Sequence, residues 1–184
     1  MRPEDLPRIA LLGGESSGKT TLARALAAQL GTLWVPEYGR VLWEQLRTTL
    51  DPEQLVHVAR TQLAWEQEHA ARALAAGARW LVCDTTPLTT LQYCLHDHGR
   101  APAELHGLAA RRYALTVLCT PDFAFVQDGC RRDEAFTQAQ HAWTLARLAE
   151  QGVAPLLAHG CVHERVAQVL GRLERLPLSA SASA

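Results

Sequence analysis

Residues 13–20, GGESSGKT, carry glycine, lysine and threonine at the spacing G-x-x-x-x-G-K-[ST] of a phosphate-binding loop. In such a loop the backbone curls so that successive N–H groups point inward at bound phosphates. Lys19 is the only lysine among the 18 lysines and arginines of the chain. A compact ammonium on a flexible stem fits inside a closed loop better than a planar guanidinium, which prefers a bidentate fork. The stretch therefore predicts a site for a nucleoside triphosphate.

The residues of this loop have distinct expected roles in binding ATP and Mg²⁺. Lys19 would reach the β- and γ-phosphates, the hydroxyl of Thr20 would bind Mg²⁺, and Thr21 would meet the α-phosphate. We predict that the nucleotide is held by nine residues: Gly13, Gly14, Glu15, Ser16, Ser17, Gly18, Lys19, Thr20 and Thr21. Of this set we expect Lys19 to be catalytic and Thr20 to be a ligand of Mg²⁺.

The loop is shared by kinases, switches and motors, so other features must separate these classes. A GTPase switch normally carries an N-K-x-D motif, but this chain has no asparagine and no second lysine. Motor ATPases are usually larger and have a strand ending in adjacent acids, whereas residues 83–86 read CDTT. A small phosphotransferase fits a chain of 184 residues better.

Two acids stand at the ends of predicted strands, where the substrate of a parallel-sheet kinase binds. Glu37 follows the second predicted strand and could accept the proton of the acceptor hydroxyl. Asp84 follows the third and could hold Mg²⁺ through water or share the role of base. The alternative for each is a surface acid or a helix cap.

Residues 127–135 are predicted to form a lid over the phosphates. They contain a turn at Asp128–Gly129, followed by Arg131 and Arg132. Arginines on a mobile segment can neutralise the transferring phosphoryl group, and closure of such a segment excludes water. The two arginines could equally be a solvated pair on a surface loop.

Other candidate residues have a stronger structural alternative. Trp34 and Trp43, and less so Trp65, could stack on a flat ring of the acceptor, although tryptophans at such spacings usually pack in a core. Cys94 and His98 would share one face of a helix, but no second pair of ligands has a recognisable spacing for a metal. We expect a structural role for this pair.

Alternating predicted strands and helices must position these residues. Apolar runs that end at glycine, proline or acids predict five strands, and 3.6-residue periodicity predicts the helices between them. Strands are predicted at residues 8–12, 32–38, 79–85, 113–120 and 153–160, and helices around 19–30, 52–76, 87–98, 102–112, 134–151 and 162–176. This order predicts one parallel sheet covered on both faces, in a single domain over residues 1–176 with a flexible tail at 177–184.

Composition narrows the possible partners. The formal net charge is −1 and the arginines are scattered, so we expect no nucleic-acid partner. No apolar run approaches the roughly 18 residues of a membrane helix, and we expect no membrane partner. The five cysteines are odd in number and widely spaced, which favours a reduced, cytoplasmic protein. The oligomeric state stays open.

Four stretches together resemble the ribosylnicotinamide kinase domain of NadR-type proteins. They are GGESSGKTTLARALA (13–27), PEYGR (36–40), DTTPLTT (84–90) and DGCR (128–131), and the resemblance runs from about Arg8 to Leu173. It implies a P-loop NTPase fold, α/β, with three α/β/α layers, a five-stranded parallel sheet and a lid segment. The implied reaction is ATP-dependent phosphorylation of the 5′-hydroxyl of nicotinamide riboside, giving nicotinamide mononucleotide in NAD biosynthesis or salvage.

The resemblance also implies roles for individual residues. Lys19 and Thr20 would serve ATP and Mg²⁺, Asp84 the metal or the base, and Arg131 the lid. The residues expected to contact the riboside are Trp34, Glu37, Tyr38, Arg40, Asp84 and Asp128. NadR-type proteins often carry further domains before the kinase, but twelve residues precede Gly13 here, so we expect a stand-alone kinase. The alternatives are a kinase of another nucleoside or small metabolite, or an ATP-binding regulatory module.

Overall fold

The computed structural model describes residues 1–122 and 133–176. Five parallel strands form one sheet in the order β2-β3-β1-β4-β5. Their bounds are Arg8–Leu12 (β1), Trp34–Val35 (β2), Leu81–Asp84 (β3), Leu115–Cys119 (β4) and Leu156–Ala158 (β5). The α/β fold with a five-stranded parallel sheet is therefore confirmed. The predicted lid at 127–135 falls largely, and the tail at 177–184 entirely, outside the described residues.

Within the described residues six α-helices lie between the strands and a seventh follows β5. They are Lys19–Leu30 (α1), Tyr38–Leu46 (α2), Pro52–Ala75 (α3), Pro87–His98 (α4), Ala103–Ala109 (α5), Glu134–Glu150 (α6) and Val162–Leu173 (α7). Helices α1 and α7 pack on the face of the sheet that carries Ile9 and Val117. The other face carries Leu12 and Leu118 and is covered by α3 to α6. The sheet is thus covered on both faces, as its continuously apolar strands predict.

The central strand β1 positions the phosphate-binding loop. All five residues of β1 are buried, and the strand lies between β3 and β4 in register Ala10↔Cys83 and Ala10↔Thr116. Because the strands are parallel, Leu12, Asp84 and Cys119 end at the same edge of the sheet. Residues 13–18 connect β1 directly to α1 at this edge, so the loop and Asp84 are neighbours.

The segment after residue 33 differs from its prediction. Residues 32–38 were expected to be extended, but β2 has only two residues and the unpredicted helix α2 begins at Tyr38. Pro36 has no N–H to donate to a strand ladder, which explains why the pairing ends there. Helix α2 carries apolar residues at helical spacing, Tyr38, Val41, Leu42 and Leu46, although none of its residues is fully buried, and the sequence analysis missed this signal. Glu37 is consequently the residue that precedes a helix.

A buried ion-pair cluster joins α3 to the amino-terminal edge of the sheet. Glu66 is 0% exposed, accepts a hydrogen bond of 2.8 Å from the Tyr113 hydroxyl, and lies 3.6 Å and 3.4 Å from the Nε atoms of Arg8 and Arg111. Burial raises the pKa of Glu66, against the effect of Tyr113 and the two arginines. The cluster lies far from the carboxyl ends of the strands, so we assign it a structural role.

None of the helices among the described residues is long and apolar enough to cross a membrane. Cys83, Cys94, Cys119 and Cys161 are free thiols. The cytoplasmic location stays a prediction.

Candidate active site

The phosphate-binding loop follows β1 and needs glycine at its first two positions. Gly13 has φ = +144°, and a Cβ there would lie 2.7 Å from the Cys119 carbonyl oxygen. A Cβ on Gly14 would lie 2.6 Å from the Thr137 methyl carbon. The loop is therefore pressed against β4 on one side and α6 on the other, which holds its backbone in one shape.

Lys19 is the first residue of α1, and its side chain folds back over the phosphate-binding loop. Its Nζ donates to the carbonyl oxygens of Gly13 and Gly14 at 3.0 and 2.8 Å. Gly18, the residue before the helix, has no side chain to cap the first helical N–H groups. Free N–H groups, the helix dipole and the ammonium together attract an anion to this point. The sequence prediction of a phosphate cradle agrees with this geometry.

Thr20 and Asp84 meet beside the loop. The Thr20 hydroxyl donates to Asp84 Oδ2 at 2.6 Å, and Asp84 is only 1% exposed. Its second oxygen, Oδ1, is buried and has no hydrogen-bond partner among the described residues. Burial raises the pKa of Asp84, while Lys19 and the Thr20 hydroxyl act in the opposite direction. A buried carboxylate with an unused oxygen next to a hydroxyl is a donor set of the kind that Mg²⁺ prefers.

Glu37 enters the site from the turn between β2 and α2. Gln62 of α3 holds this turn, because its amide donates to the Pro36 carbonyl at 3.2 Å and accepts from the Tyr38 N–H at 2.9 Å. The Glu37 side chain is 24% exposed, and one oxygen lies 4.0 Å from Arg40 Nε. Burial raises the pKa of Glu37; Lys19 opposes this effect and Asp84 adds to it. Gln62 is a positioning residue that the sequence analysis missed.

One cavity of about 250 Å³ is lined by the phosphate-binding loop, Thr20 and Glu37. Asp84, which was expected to contact the riboside, lies beside Thr20 but is not among the lining residues. The phosphate-binding loop and Lys19 line one end of it. We call the other end, which α2, α3 and α4 line, the acceptor side. Its lining residues are Glu37, Gly39, Arg40, Trp43, Leu55, Val58, Gln62, Thr89, Thr90, Tyr93 and Asp97. The phosphate-binding loop and the candidate base Glu37 therefore face one shared cavity.

Some predicted acceptor residues do not line this cavity. Trp34 packs against the core on the α1 side, with the Arg24 guanidinium 5.2 Å from its ring. Tyr38 packs edge-on against Trp65 at 5.0 Å. Trp34 and Trp65 thus take the packing role that the sequence analysis left open, and Trp43 is the tryptophan that lines the acceptor side. Tyr38 was expected to contact the riboside, but it packs against Trp65 and does not line the cavity. Asp128, Arg131 and Arg132 lie outside the described residues, and their roles stay predictions.

The structure adds contacts to Glu15 that the sequence analysis missed. The Tyr93 hydroxyl donates to Glu15 Oε1 at 2.7 Å, and the Glu15 N–H donates to Gln140 Oε1 at 3.1 Å. Gln140 is 2% exposed and belongs to a row of buried polar residues on α6 with Thr137 and Thr144. Their spacing of i, i+3 and i+7 could have shown from the sequence that one polar face of this helix is directed at a site. Helices α4 and α6 therefore hold the loop in place.

The cysteine and histidines of α4 have structural partners. Cys94 Sγ contacts the Arg100 carbonyl at 3.4 Å, and His98 Nε2 lies 2.9 Å from the Leu50 carbonyl. Within residues 1–122 and 133–176, no group of three His, Cys, Asp or Glu side chains could hold a metal ion. The contacts of Cys94 and His98 with backbone carbonyls fit the structural role expected for this pair.

The sheet order, the loop after β1 and the cavity define an α/β P-loop kinase fold. Residues 8–165 match a family described as an AAA domain, and the chain belongs to this family of P-loop domains. The family description itself states no reaction.

Solved structures with the same fold include several kinases. A structure of NadR in complex with NR has a TM-score of 0.72 and 20% identity over 92% of this chain and 52% of that chain. A thymidylate kinase from Ehrlichia chaffeensis has a TM-score of 0.65 and 14% identity over 91% and 98% of the two chains. A deoxyadenosine kinase from M. mycoides has a TM-score of 0.58 and 11% identity over 91% of this chain and 98% of that chain. This protein spans about half the length of the NadR chain.

Proposed function

We propose that this protein is an ATP-dependent kinase that phosphorylates the 5′-hydroxyl of nicotinamide riboside to give nicotinamide mononucleotide. The observation that carries the proposal is that a phosphate-binding loop with Lys19 and a carboxylate base candidate, Glu37, line the same cavity. A second structure of NadR, in complex with NAD and AMP-PNP, has a TM-score of 0.71 and 18% identity. This likeness supports a nucleotide at the loop.

In the proposed reaction Lys19 and the first turn of α1 hold the phosphates of ATP and balance the charge that spreads over the transferring group. Glu37 accepts the proton of the acceptor hydroxyl. Its pKa is raised by burial, so its carboxylate is a stronger base than an exposed one. Gln62 keeps Glu37 at the acceptor side by holding the backbone on both sides of it.

Thr20 and Asp84 are the residues proposed to hold Mg²⁺. The unpartnered Oδ1 of Asp84 and the neighbouring Thr20 hydroxyl are hard oxygen donors that fit this ion. When bound, Mg²⁺ would neutralise phosphate charge during transfer. Burial favours the protonated form of Asp84, and a cation beside it would restore the carboxylate.

The charges of the acceptor side favour an acceptor without a phosphate group. Among the described residues that line it, Glu37 and Asp97 are acids and Arg40 is a base. A nucleoside monophosphate would bring a dianion to these acids, whereas nicotinamide riboside brings a cationic pyridinium ring. Trp43 lines the same side, and the Arg47 guanidinium lies 5.1 Å from the centre of its ring. A cationic acceptor ring would stack on the opposite face of Trp43. These features support a nucleoside, and nicotinamide riboside in particular.

The test is ADP production with a panel of acceptors at fixed ATP and Mg²⁺. The panel contains nicotinamide riboside, the common ribonucleosides and deoxyribonucleosides, and thymidine monophosphate. We expect the highest kcat/KM with nicotinamide riboside. Preference for a deoxynucleoside would support a second candidate, a deoxynucleoside kinase, which the similarity to deoxyadenosine kinase favours. No preference would overturn the nicotinamide riboside assignment.

A regulatory ATP-binding module is distinguished from both kinases by two substitutions. Glu37→Ala and Asp84→Ala should greatly reduce turnover and change ATP affinity little if the protein is a kinase. If the wild-type protein binds ATP but transfers no phosphoryl group, and neither substitution changes its behaviour, the protein is a module that binds ATP without phosphoryl transfer.

A further inference from the structure

Arg165 is a buried arginine on the inner face of α7. Its side chain is 1% exposed, although its helical neighbours on this face are the apolar Val166, Val169 and Leu173. Burying a guanidinium is costly unless its N–H groups find acceptors. The contacts of Arg165 therefore indicate what its charge is used for.

The guanidinium reaches three loops at the carboxyl edge of the sheet. One Nη donates to the Ser17 carbonyl of the phosphate-binding loop at 2.6 Å. The other Nη donates to the Thr120 carbonyl at 3.0 Å and to Asp122 Oδ2 at 3.2 Å. Nε donates to the Gly160 carbonyl at 2.8 Å. The phosphate-binding loop is thus fastened to the segments that follow β4 and β5.

The contact with Ser17 controls one peptide of the phosphate-binding loop. The peptide between Ser17 and Gly18 is trans, so its C=O and N–H point in opposite directions. The C=O is held toward α7 by the guanidinium, so the Gly18 N–H points away from α7. Gly18 and Lys19 both line the cavity.

We propose that Arg165 is a positioning residue for the nucleotide. It orients the Ser17–Gly18 peptide so that the Gly18 N–H faces the β-phosphate, the group that ADP has and AMP lacks. The inference rests on nucleotide binding by the loop, which is part of the proposed function, and is independent of the acceptor. A charge-assisted bond to the carbonyl also polarises the peptide, which makes its N–H a better donor to an anion. Asp122 contributes by holding the guanidinium from the other side, where it also accepts from the Gly160 N–H at 2.6 Å.

The test compares the affinities of ADP and AMP, measured by calorimetry or competition, in Arg165→Lys and Arg165→Gln. Both variants keep a donor in place of the guanidinium, so that at least one folded variant can be studied. Arg172→Lys, at an exposed position on the same helix, is the matched control. Unfolding midpoints are measured for every variant.

We expect the Arg165 variants to bind ADP about tenfold or more weakly, while AMP affinity changes less than about threefold, because one charge-assisted contact acts on the outer phosphate. Arg172→Lys should bind both as the wild type does. Equal losses for ADP and AMP, or unchanged ADP affinity, would overturn the proposal and leave Arg165 a purely structural residue. Lack of riboside kinase activity in the wild type would contradict the proposed function without touching this result.

Discussion

Gly14→Ala is expected to push the phosphate-binding loop away from α6. The added Cβ would lie 2.6 Å from the Thr137 methyl carbon and 2.8 Å from the Thr137 carbonyl oxygen. Carbon atoms in contact settle at about 3.5–4.0 Å, so the loop and the helix must separate by roughly 1 Å. The hydrogen bond from the Glu15 N–H to Gln140, 3.1 Å long, would be stretched beyond bonding distance.

These two effects give an expected loss of stability. Overpacking of this kind costs about 1–3 kcal/mol, and loss of the hydrogen bond adds about 1 kcal/mol. We therefore expect Gly14→Ala to lower the free energy of unfolding by about 2–4 kcal/mol, and to weaken ADP binding because the loop loses its shape.

Urea unfolding and ADP titration measure these two quantities. Gly107→Ala is the matched control: the position is exposed in α5, and nothing lies within 4 Å of the Cβ it would gain. That substitution should stabilise the protein by about 0.5–1 kcal/mol and leave ADP binding unchanged. Adding Thr137→Ser to Gly14→Ala should recover part of the loss, because it removes the methyl contact and keeps the carbonyl contact. A Gly14→Ala protein as stable as the wild type, with normal ADP affinity, would refute the packing argument.

Three further predictions concern charged groups. Lys19→Arg should nearly abolish phosphoryl transfer without a change in thermal midpoint, because the bulkier guanidinium cannot occupy the closed loop; normal turnover would contradict this. Glu37→Gln should reduce kcat by about 10²–10⁴ with unchanged ADP affinity. Since the pKa of Glu37 is raised and the carboxylate is the active form, wild-type kcat/KM should rise with pH above the ordinary value of 4.5; a pH-independent profile would exclude it as base. The raised pKa of Glu66 means that the folded protein binds this proton more tightly than the unfolded chain does. The free energy of unfolding should therefore fall as the pH rises above 4.5. Urea titrations over this pH range should show a weaker pH dependence for Glu66→Gln.

The features that sequence could predict are those governed by local rules. The loop at residues 13–20 follows a fixed spacing, and the end of β3 at Asp84 follows from a continuous apolar run. Helix α3 begins at residue 52, as predicted, and Asp51 caps it by accepting the Gln54 N–H. Each of these signals involves only a few neighbouring residues, so it can be interpreted without knowledge of the tertiary structure.

The features that were missed depend on contacts between distant segments. Gln62 was missed because it lies 25 positions after Glu37, and only the fold brings it to the turn that it holds around this residue. Trp34 was a plausible stacking residue by position, but the face of β2 on which it lies belongs to the α1 side of the sheet. Arg165 interrupts an otherwise apolar helix face, which the sequence shows. Its contact with Ser17, 148 positions earlier, is visible only in the folded structure.

The central claim is phosphoryl transfer from ATP to the riboside hydroxyl. Phosphorus NMR of the wild-type protein with ATP, Mg²⁺ and nicotinamide riboside follows donor and product in one spectrum. We predict a growing 5′-phosphomonoester signal of nicotinamide mononucleotide, with one ADP formed for each product molecule. Conversion of ATP to ADP and inorganic phosphate without the phosphomonoester, or no conversion of ATP, would contradict the account.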